Sequence, residues 1–416
     1  MQAEIIAVGS ELLTPYRQDT NSLFLTDRLN RLGIEVIRKT IVGDDRKQIA
    51  GAFAEALRRA ELVISIGGLG PTEDDQTREA AAEVLGRRLR RDEAVLREIQ
   101  ERFRRYGRKM APVNERQAMV PEGAEPLPNP NGTAPGLWIE TDGRLVVLLP
   151  GPPRELMPMF LEHVEPRLRE RAGDVLLLTR ELRVAGMAES DVEQRIAPIY
   201  TRYEGVQTTL LASPGEIQIH LRAWTRDPEH ANKTLDELTD RLAVALGTHL
   251  FTTRGESLEE VVARLLNTHG ATLALAESIT GGLIAQRLTS IPGSSSYLVG
   301  GIVCYSNEVK TAWVGVPAEL IRQKGAVSAE VALALAQQIR ERSGATLGLG
   351  ITGIAGPGGG TAEKPVGTVF VALADGRRTI ERNAHFPGDR ERIRWQAAQL
   401  ALDLIRHYFQ FPTGQP

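Results

Sequence analysis

A short apolar run that ends in glycine and hands over to an amphipathic helix recurs along this 416-residue chain. EIIAVGSELL (Glu4–Leu13) precedes TNSLFLTDRLNRLG, ELVISIGGLGPTEDD (Glu61–Asp75) precedes TREAAAEVLG, and TLALAESITGG (Thr272–Gly282) precedes LIAQRL. Unbroken apolar runs fit strands buried on both faces. Their alternation with helices specifies parallel sheets covered by helices. Functional groups in such sheets gather at the carboxyl ends of the strands.

The length calls for two or three domains, and the pattern changes twice. Residues 1–170 alternate strand and helix. Residues 171–252 read as β-α-β-β-α-β, a small split-βαβ unit. Within it Ser190 to Glu193 has the S-x-x-E form of a capping box, and Ile217, Ile219, Leu221 and Ala223 share one strand face. Residues 257–416 return to strand and helix. The expected fold class is α/β, a three-domain chain in which the small unit joins two parallel-sheet domains. A net charge of −3 argues against a broad nucleic-acid surface. One cysteine, Cys304 in the run GGIVCYS, forbids an internal disulfide and fits a core position. MQAEIIAVG begins as a strand, not a signal peptide, and no run has the length of a membrane span, so a cytoplasmic protein is expected.

Ser278 falls where the TLALAE strand meets a helix start. Backbone N–H groups around Thr280, Gly281 and Gly282 would there favour a developing negative charge. The next strand, GGIVCYS, is expected to end at Tyr305. Asn307 reads as the N-cap of a helix carrying Lys310 in its first turn, where the helix dipole lowers a lysine pKa. Ser278 with Tyr305 and Lys310 is therefore a candidate catalytic set, each lysine or serine role having a structural alternative in capping or packing. The strand TLGLGITG ends in Thr352 and Gly353. It leads into a loop, Ile354 to Thr361, whose Gly356 and three later glycines offer backbone donors to a phosphate. Arg390 and Arg394 lie one turn apart on the last helix, as a phosphate clamp or as a solvated face.

Near the amino terminus the strand ends supply Gly9, Ser10 and Glu11, then Gly43, Asp44 and Asp45. Gly67, Gly68 and Gly70 allow close backbone approach to a phosphate, and Asp74 and Asp75 suit a magnesium-like ion. The alternative is a tight turn with an acidic helix start. PNPNGTAPG and LVVLLPGPPREL add two further loops at strand ends.

AESITGG, YSNEVK and GITGIAGPGGGTAEKPVGTV together resemble the carboxy-terminal domain of the CinA family, the nicotinamide mononucleotide (NMN) deamidases, over about 160 residues. VGSELL, GGLGPTEDD, NGTAPG and LPGPPREL resemble that family's amino-terminal half, a MoaB-like molybdopterin-binding fold associated with metal-dependent ADP-ribose pyrophosphatase activity. The resemblance implies Ser278 as nucleophile and Lys310, assisted by Tyr305, as base. Around them it implies Thr280, Gly281, Gly282, Asn307, Thr352, Gly353 and Gly356, with Arg390 or Arg394 on the NMN phosphate and no metal. In the first domain it implies a nucleotide held by Gly9, Ser10, Asn21, Gly67, Gly68, Gly70, Thr72, Asn131, Gly132 and Gly151. Glu11, Asp44, Asp74 and Asp75 are its candidate ligands for a divalent cation, Mg2+ or similar. CinA relatives carry a KH-like middle domain. Here the nearest match to a GxxG loop, Gly186-Met187-Ala188-Glu189, lacks the second glycine. Nucleic acid is therefore not an expected partner, and a spacer or homodimerisation role is. The rival readings are molybdopterin binding without hydrolysis, and a non-enzymatic scaffold in DNA uptake or repair. The scaffold predicts a basic stripe or an intact GxxG, and the sequence has neither.

Overall fold

In the computed structural model, which describes residues 1–411, the strand Leu273–Glu277 is buried along its whole length. Its leucines and alanines divide between the two faces. Leu273 and Leu275 pack with Leu258, Ala397 and Leu402 on one side. Ala274 and Ala276 meet Val331 and Leu335 on the other. This is the period-2 logic of a strand with helices on both faces. The strand pairs in parallel with Leu298–Val303 and Leu347–Gly353, and the sheet continues antiparallel through Thr368–Ala374 and Thr379–His385. Glu277, Val303 and Gly353 therefore end at one edge, and the loops that follow them converge.

Two expectations are corrected here. The strand expected over GGIVCYS covers Leu298–Val303 and stops short of Tyr305. It is a sheet edge with Val299 and Val303 exposed, because it pairs with one neighbour only. Cys304, just beyond it, is fully buried, and burial pushes its thiol pKa up to about 11. The proposed capping box is absent: the helix runs Glu189–Tyr200 with Ala188 at its N-cap, so Ser190 already lies in the first turn.

The amino-terminal sheet has the order Glu35–Val42, Gln2–Val8, Leu62–Ile66, Arg144–Leu149, Gly136–Thr141, Ala124–Leu127. Its first four strands are parallel and the last two antiparallel. Residues alternate between two cores, Ile5 and Ile64 facing one and Ile6 and Val63 the other. Val8, Val42, Ile66 and Leu149 end together, which brings the glycine loops to one edge. The middle segment forms a four-stranded sheet ordered Gln207–Ser213, Glu216–Thr225, Leu176–Ala185, Leu250–Thr252, with helices Glu189–Tyr200 and Pro228–Leu246 in the β-α-β-β-α-β sequence. The chain condenses into two units, Met1–Leu178 with Trp224–Pro228, and Thr179–Ala223 with the residues from Glu229 on. Among the described residues no helix is long and apolar enough to cross a membrane.

Helix Ala329–Ser343 lies directly on strand Leu347–Gly353, and two glycines make that approach possible. A Cβ at Gly348 would sit 2.2 Å from the Ala336 carbonyl oxygen, and one at Gly350 would sit 2.5 Å from Ala332 O and Ala336 N. Backbone cannot yield as a side-chain tip can. Gly350→Ala should therefore destabilise the protein by about 2–3 kcal/mol, as overpacking does. The urea midpoint checks this, and a midpoint equal to that of the parent protein would show that the two elements can separate at no cost.

Candidate active site

Ser278 follows the buried strand directly, and its N–H bonds Ile351 O at 3.1 Å, extending the ladder to the neighbouring strand. The chain then turns through Ile279–Gly282, with Gly281 and Gly282 in left-handed conformation (φ 59° and 92°), into helix Leu283–Thr289. The carboxylate of Glu277, 1% exposed, reaches back over this turn. It accepts from the backbone N–H groups of Gly282 (3.0 Å), Ile284 (3.1 Å) and Ala285 (2.8 Å). The helix start is thus closed by the protein's own anion. Gly281 N–H bonds Ser278 O. This corrects the expected oxyanion donors: the amides of Gly281 and Gly282 are committed, whereas those of Ile279 and Thr280 take no partner among the described residues. The Thr280 hydroxyl is fully buried and also unpartnered. Sequence reading missed Glu277, although an acid closing an otherwise apolar run and followed by two glycines was a visible signal.

Lys310 arrives from the neighbouring strand. Ser306, not Asn307, is the N-cap of the short helix Asn307–Val309, its Oγ accepting from Val309 N–H at 3.3 Å. Asn307 is the first helical residue. Lys310–Val314 continues as a wider π-type turn that directs Lys310 inward, 1% exposed. Its Nζ lies 2.8 Å from Cys304 O, 3.0 Å from Tyr305 O and 3.0 Å from Ser278 Oγ. A neutral amine has two N–H groups and one lone pair. Nζ is within donating distance of all three oxygens; in its neutral form it would give its N–H groups to the two carbonyls and leave its lone pair for the serine. The Lys310 pKa is lowered, chiefly by desolvation, where the sequence argument had assigned the effect to the helix dipole.

Tyr305 departs from its expected role. Its side chain is 60% exposed and its hydroxyl accepts from Arg390 Nη2 at 2.8 Å; only its backbone carbonyl meets Lys310. Arg390 also donates to Gly356 O at 2.8 Å, and Arg394 donates to Thr280 O at 2.7 Å. The two arginines at the start of helix Arg390–Gln410 therefore brace the glycine loop and the serine turn. Thr352 is buried and donates to Ala326 O at 2.8 Å. Gly353 is required where its neighbours Thr368 O and Ile279 Cδ1 would lie 2.6 and 2.8 Å from a Cβ.

In the amino-terminal sheet a cavity of about 380 Å3 brings together Gly9, Glu11, Asp44, Gly67, Gly68, Gly70, Thr72, Asp74, Asp75 and Gly151. Ser10, Asn21, Asn131 and Gly132 do not line it. Gln117, Thr133 and Glu155, unassigned from sequence, do. Ser10 and Asp44 bond each other, the Ser10 N–H donating to Asp44 Oδ2 at 2.8 Å. Asn21 donates to Gly151 O at 2.7 Å and leaves its own buried Oδ1 unpartnered. Asp75 accepts from Thr72 N–H at 2.9 Å and from its hydroxyl.

Gly67 and Gly68, both at positive φ, are needed here by the protein itself. A Cβ would come 2.4 Å from Val8 O at Gly67, 2.1 Å from Thr77 Oγ1 at Gly68, 2.4 Å from Asp75 Oδ2 at Gly70 and 1.8 Å from Glu155 Oε2 at Gly132. The expected cation ligands, Glu11, Asp44, Asp74 and Asp75, all line this cavity. Among the described residues no three His, Cys, Asp or Glu side chains gather to hold a metal, and Asp44 and Asp75 already serve Ser10 and Thr72.

Three family models divide the chain: a probable molybdopterin binding domain matches residues 4–170, the damage-inducible protein CinA KH domain 179–252, and the CinA C-terminal domain 255–409. A CinA-like protein of Koribacter versatilis is 51% identical over 98% of this chain and 99% of its own. The chain belongs to the CinA family. A putative competence-damage inducible protein of Desulforudis audaxviator is 44% identical over 98% of this chain and 99% of its own. The crystal structure titled as the protein CinA with unknown function from Thermoplasma acidophilum is 39% identical, covering 40% of this chain and 99% of that one, with a TM-score of 0.38. In this CinA-family chain Ser278, Glu277, Lys310 and Arg394 all lie within the segment matched by the C-terminal domain model.

The lowered Lys310 pKa has a stability consequence. Between its depressed value and the ordinary lysine value the unfolded chain binds a proton that the folded chain has released. Stability therefore rises with pH across that window. Denaturant midpoints taken from neutral pH to about pH 10 should climb more steeply for the parent protein than for Lys310→Met. Parallel profiles would mean that the buried amine keeps its proton.

Proposed function

We propose that the carboxy-terminal site hydrolyses the carboxamide of NMN through a serine nucleophile. The observation that carries this reading is the Lys310 amine 3.0 Å from Ser278 Oγ with two backbone carbonyls on its remaining N–H groups. Ser278 Oγ attacks the amide carbon as Lys310 Nζ takes the hydroxyl proton. The oxyanion draws on the N–H groups of Ile279 and Thr280 and on the Thr280 hydroxyl, the donors left without partners. The carbon–nitrogen bond then breaks, Lys310 returns its proton to the nitrogen, and ammonia leaves an ester on Ser278. Water, deprotonated by Lys310, attacks that ester. The carbon–oxygen bond breaks, the proton returns to Ser278, and nicotinate mononucleotide is released. Tyr305 acts through its carbonyl rather than its hydroxyl. Arg390 and Arg394 present cationic groups at the mouth of the site for the phosphate. The reaction needs no metal.

The amino-terminal cavity is read as the site of a nucleotide diphosphate, ADP-ribose, which it hydrolyses. A magnesium ion carried by the diphosphate needs only one or two protein carboxylates, and Glu11 and Asp74 both line the cavity. When bound, the ion offsets phosphate charge. The chain's own part is to orient the diphosphate between the Gly67–Gly70 and Gly151 loops. A second reading, binding of a molybdopterin-like ligand without hydrolysis, is favoured by the description of the model matched over residues 4–170 and by the absence of three gathered carboxylates among the described residues. The protein is also read as a cytoplasmic homodimer. The strand Gln207–Ser213 is a sheet edge that a second copy can extend.

Ammonia release from NMN by the purified full-length protein tests the first reading. Ser278→Ala should lose at least about a thousandfold in kcat with NMN binding retained. Lys310→Arg should be nearly as inactive as Lys310→Ala, since arginine keeps the charge but cannot act as a base. Turnover in Lys310→Arg within tenfold of the parent would assign the proton transfer to another group.

The two sites should separate under chelation. Metal removal, or Glu11→Ala with Asp74→Ala, should abolish release of AMP and ribose phosphate from ADP-ribose while deamidation stays within about twofold. Ser278→Ala should do the reverse. ADP-ribose bound but uncleaved by the parent protein under saturating magnesium would favour the binding reading.

A further inference from the structure

The middle segment does more than separate the two sheets. Ala185 and Phe251 enter the same core cluster as Leu258, Ile284, Ala397 and Leu402. Helix Arg390–Gln410, which carries Arg390 and, one turn on, Arg394, is gripped from the middle segment at two further points. Arg406 Nη2 donates to Thr248 O at 2.7 Å. Higher up, the hairpin turn between Gln207–Ser213 and Glu216–Thr225 sits on the helix at Gln399. Gly215 has φ +80°, and a Cβ there would lie 3.1 Å from Gln399 Cγ.

Gln399 is 3% exposed and joins three elements. Its Oε1 accepts from Arg287 Nη2 at 2.7 Å, and its Nε2 donates to Glu216 Oε2 at 3.2 Å. Arg287, 4% exposed, donates to Glu259 Oε1 at 2.5 Å and stacks 4.5 Å from the centre of the Trp395 ring. It belongs to helix Leu283–Thr289, the helix that begins at the serine turn. A buried amide between a cation and an anion has only one satisfied orientation: oxygen to Arg287, nitrogen to Glu216. The hairpin carboxylate therefore sets how the serine helix and the arginine helix meet.

We infer that the hairpin at Ser213–Glu216 is a positioning element of the carboxy-terminal site, acting through Gln399 on the helix that carries Arg390 and Arg394. The inference rests on the deamidase reading above. It specifies which kinetic constant moves. Ser278 and Lys310 are held by Ile351 O, Cys304 O and Tyr305 O, none of them on helix Arg390–Gln410. What that helix holds is the Gly356 loop, the Tyr305 hydroxyl and the Thr280 carbonyl. Loosening the hairpin contact should disturb the substrate's surroundings and leave the serine–lysine pair in place.

The test uses the full chain with NMN as substrate. Glu216→Ala should raise KM about fivefold with a smaller change in kcat, and Gln399→Met should do the same by removing the amide and with it both contacts. Glu216→Gln keeps an acceptor oxygen for Gln399 and should restore a KM within twofold of the parent. Gln399→Met also covers the case in which Glu216→Ala fails to fold, because Glu216 additionally pairs with Arg183. Unchanged KM in a folded Glu216→Ala or Gln399→Met protein, or a fall in kcat alone, overturns the inference while leaving the deamidase reading intact. A parent protein that releases no ammonia from NMN overturns the deamidase reading and this inference with it.

Discussion

The carboxylate of Glu277 governs the geometry of the carboxy-terminal site. It lies at the end of a strand buried on both faces, where an unpaired charge would cost several kcal/mol. Three backbone N–H groups at the start of helix Leu283–Thr289 compensate it. Hydrogen bonds to a charged group contribute roughly 1.5–3 kcal/mol each, so the turn between strand and helix is rigidly defined. Ser278 sits inside that turn. A helix start unoccupied by protein would be a ready anion site; here the protein has filled it. The amides of the turn residues Ile279 and Thr280 are the ones left without a partner among the described residues.

Lys310 follows the same principle with the opposite charge. An ammonium so fully buried is unfavourable, and desolvation lowers its pKa. The carbonyls of Cys304 and Tyr305 and the Ser278 hydroxyl give the amine three oxygen neighbours within 3.0 Å. Both carbonyls come from the few residues after an edge strand, where the ladder has ended and backbone oxygens are unpaired. The end of Leu298–Val303 thus supplies both backbone acceptors of Lys310. Arg390, Arg394 and the glycine loop form an outer layer, held by a long helix that the middle segment grips through Gln399 and Arg406.

The amino-terminal sheet has similar loops with a different economy. Gly67 and Gly68, both at positive φ, are required because Val8 O and Thr77 Oγ1 occupy the space that side chains would fill. The loops pack against one another and line a cavity at the sheet's carboxyl edge. Two of its four expected carboxylates hold backbone or hydroxyl groups of the protein.

Much of this was legible in the sequence. The unbroken apolar runs, the glycine turns and the helical periodicity determined two helix-covered sheets and the split unit between them, since buried strands and amphipathic helices have few ways to pack. The same runs placed Ser278 and Lys310 at neighbouring strand ends. Periodicity reports which face a residue occupies, not which atom its side chain meets. Three-dimensional packing alone decided that Glu277 would take the helix amides, that the Tyr305 hydroxyl would turn to Arg390, and that Ser306 rather than Asn307 would cap its helix. It likewise decided that the middle segment would share a core with the carboxy-terminal sheet through Ala185 and Phe251. Those outcomes depend on distances of a few tenths of an ångström between residues far apart in the chain, and a linear pattern does not encode them.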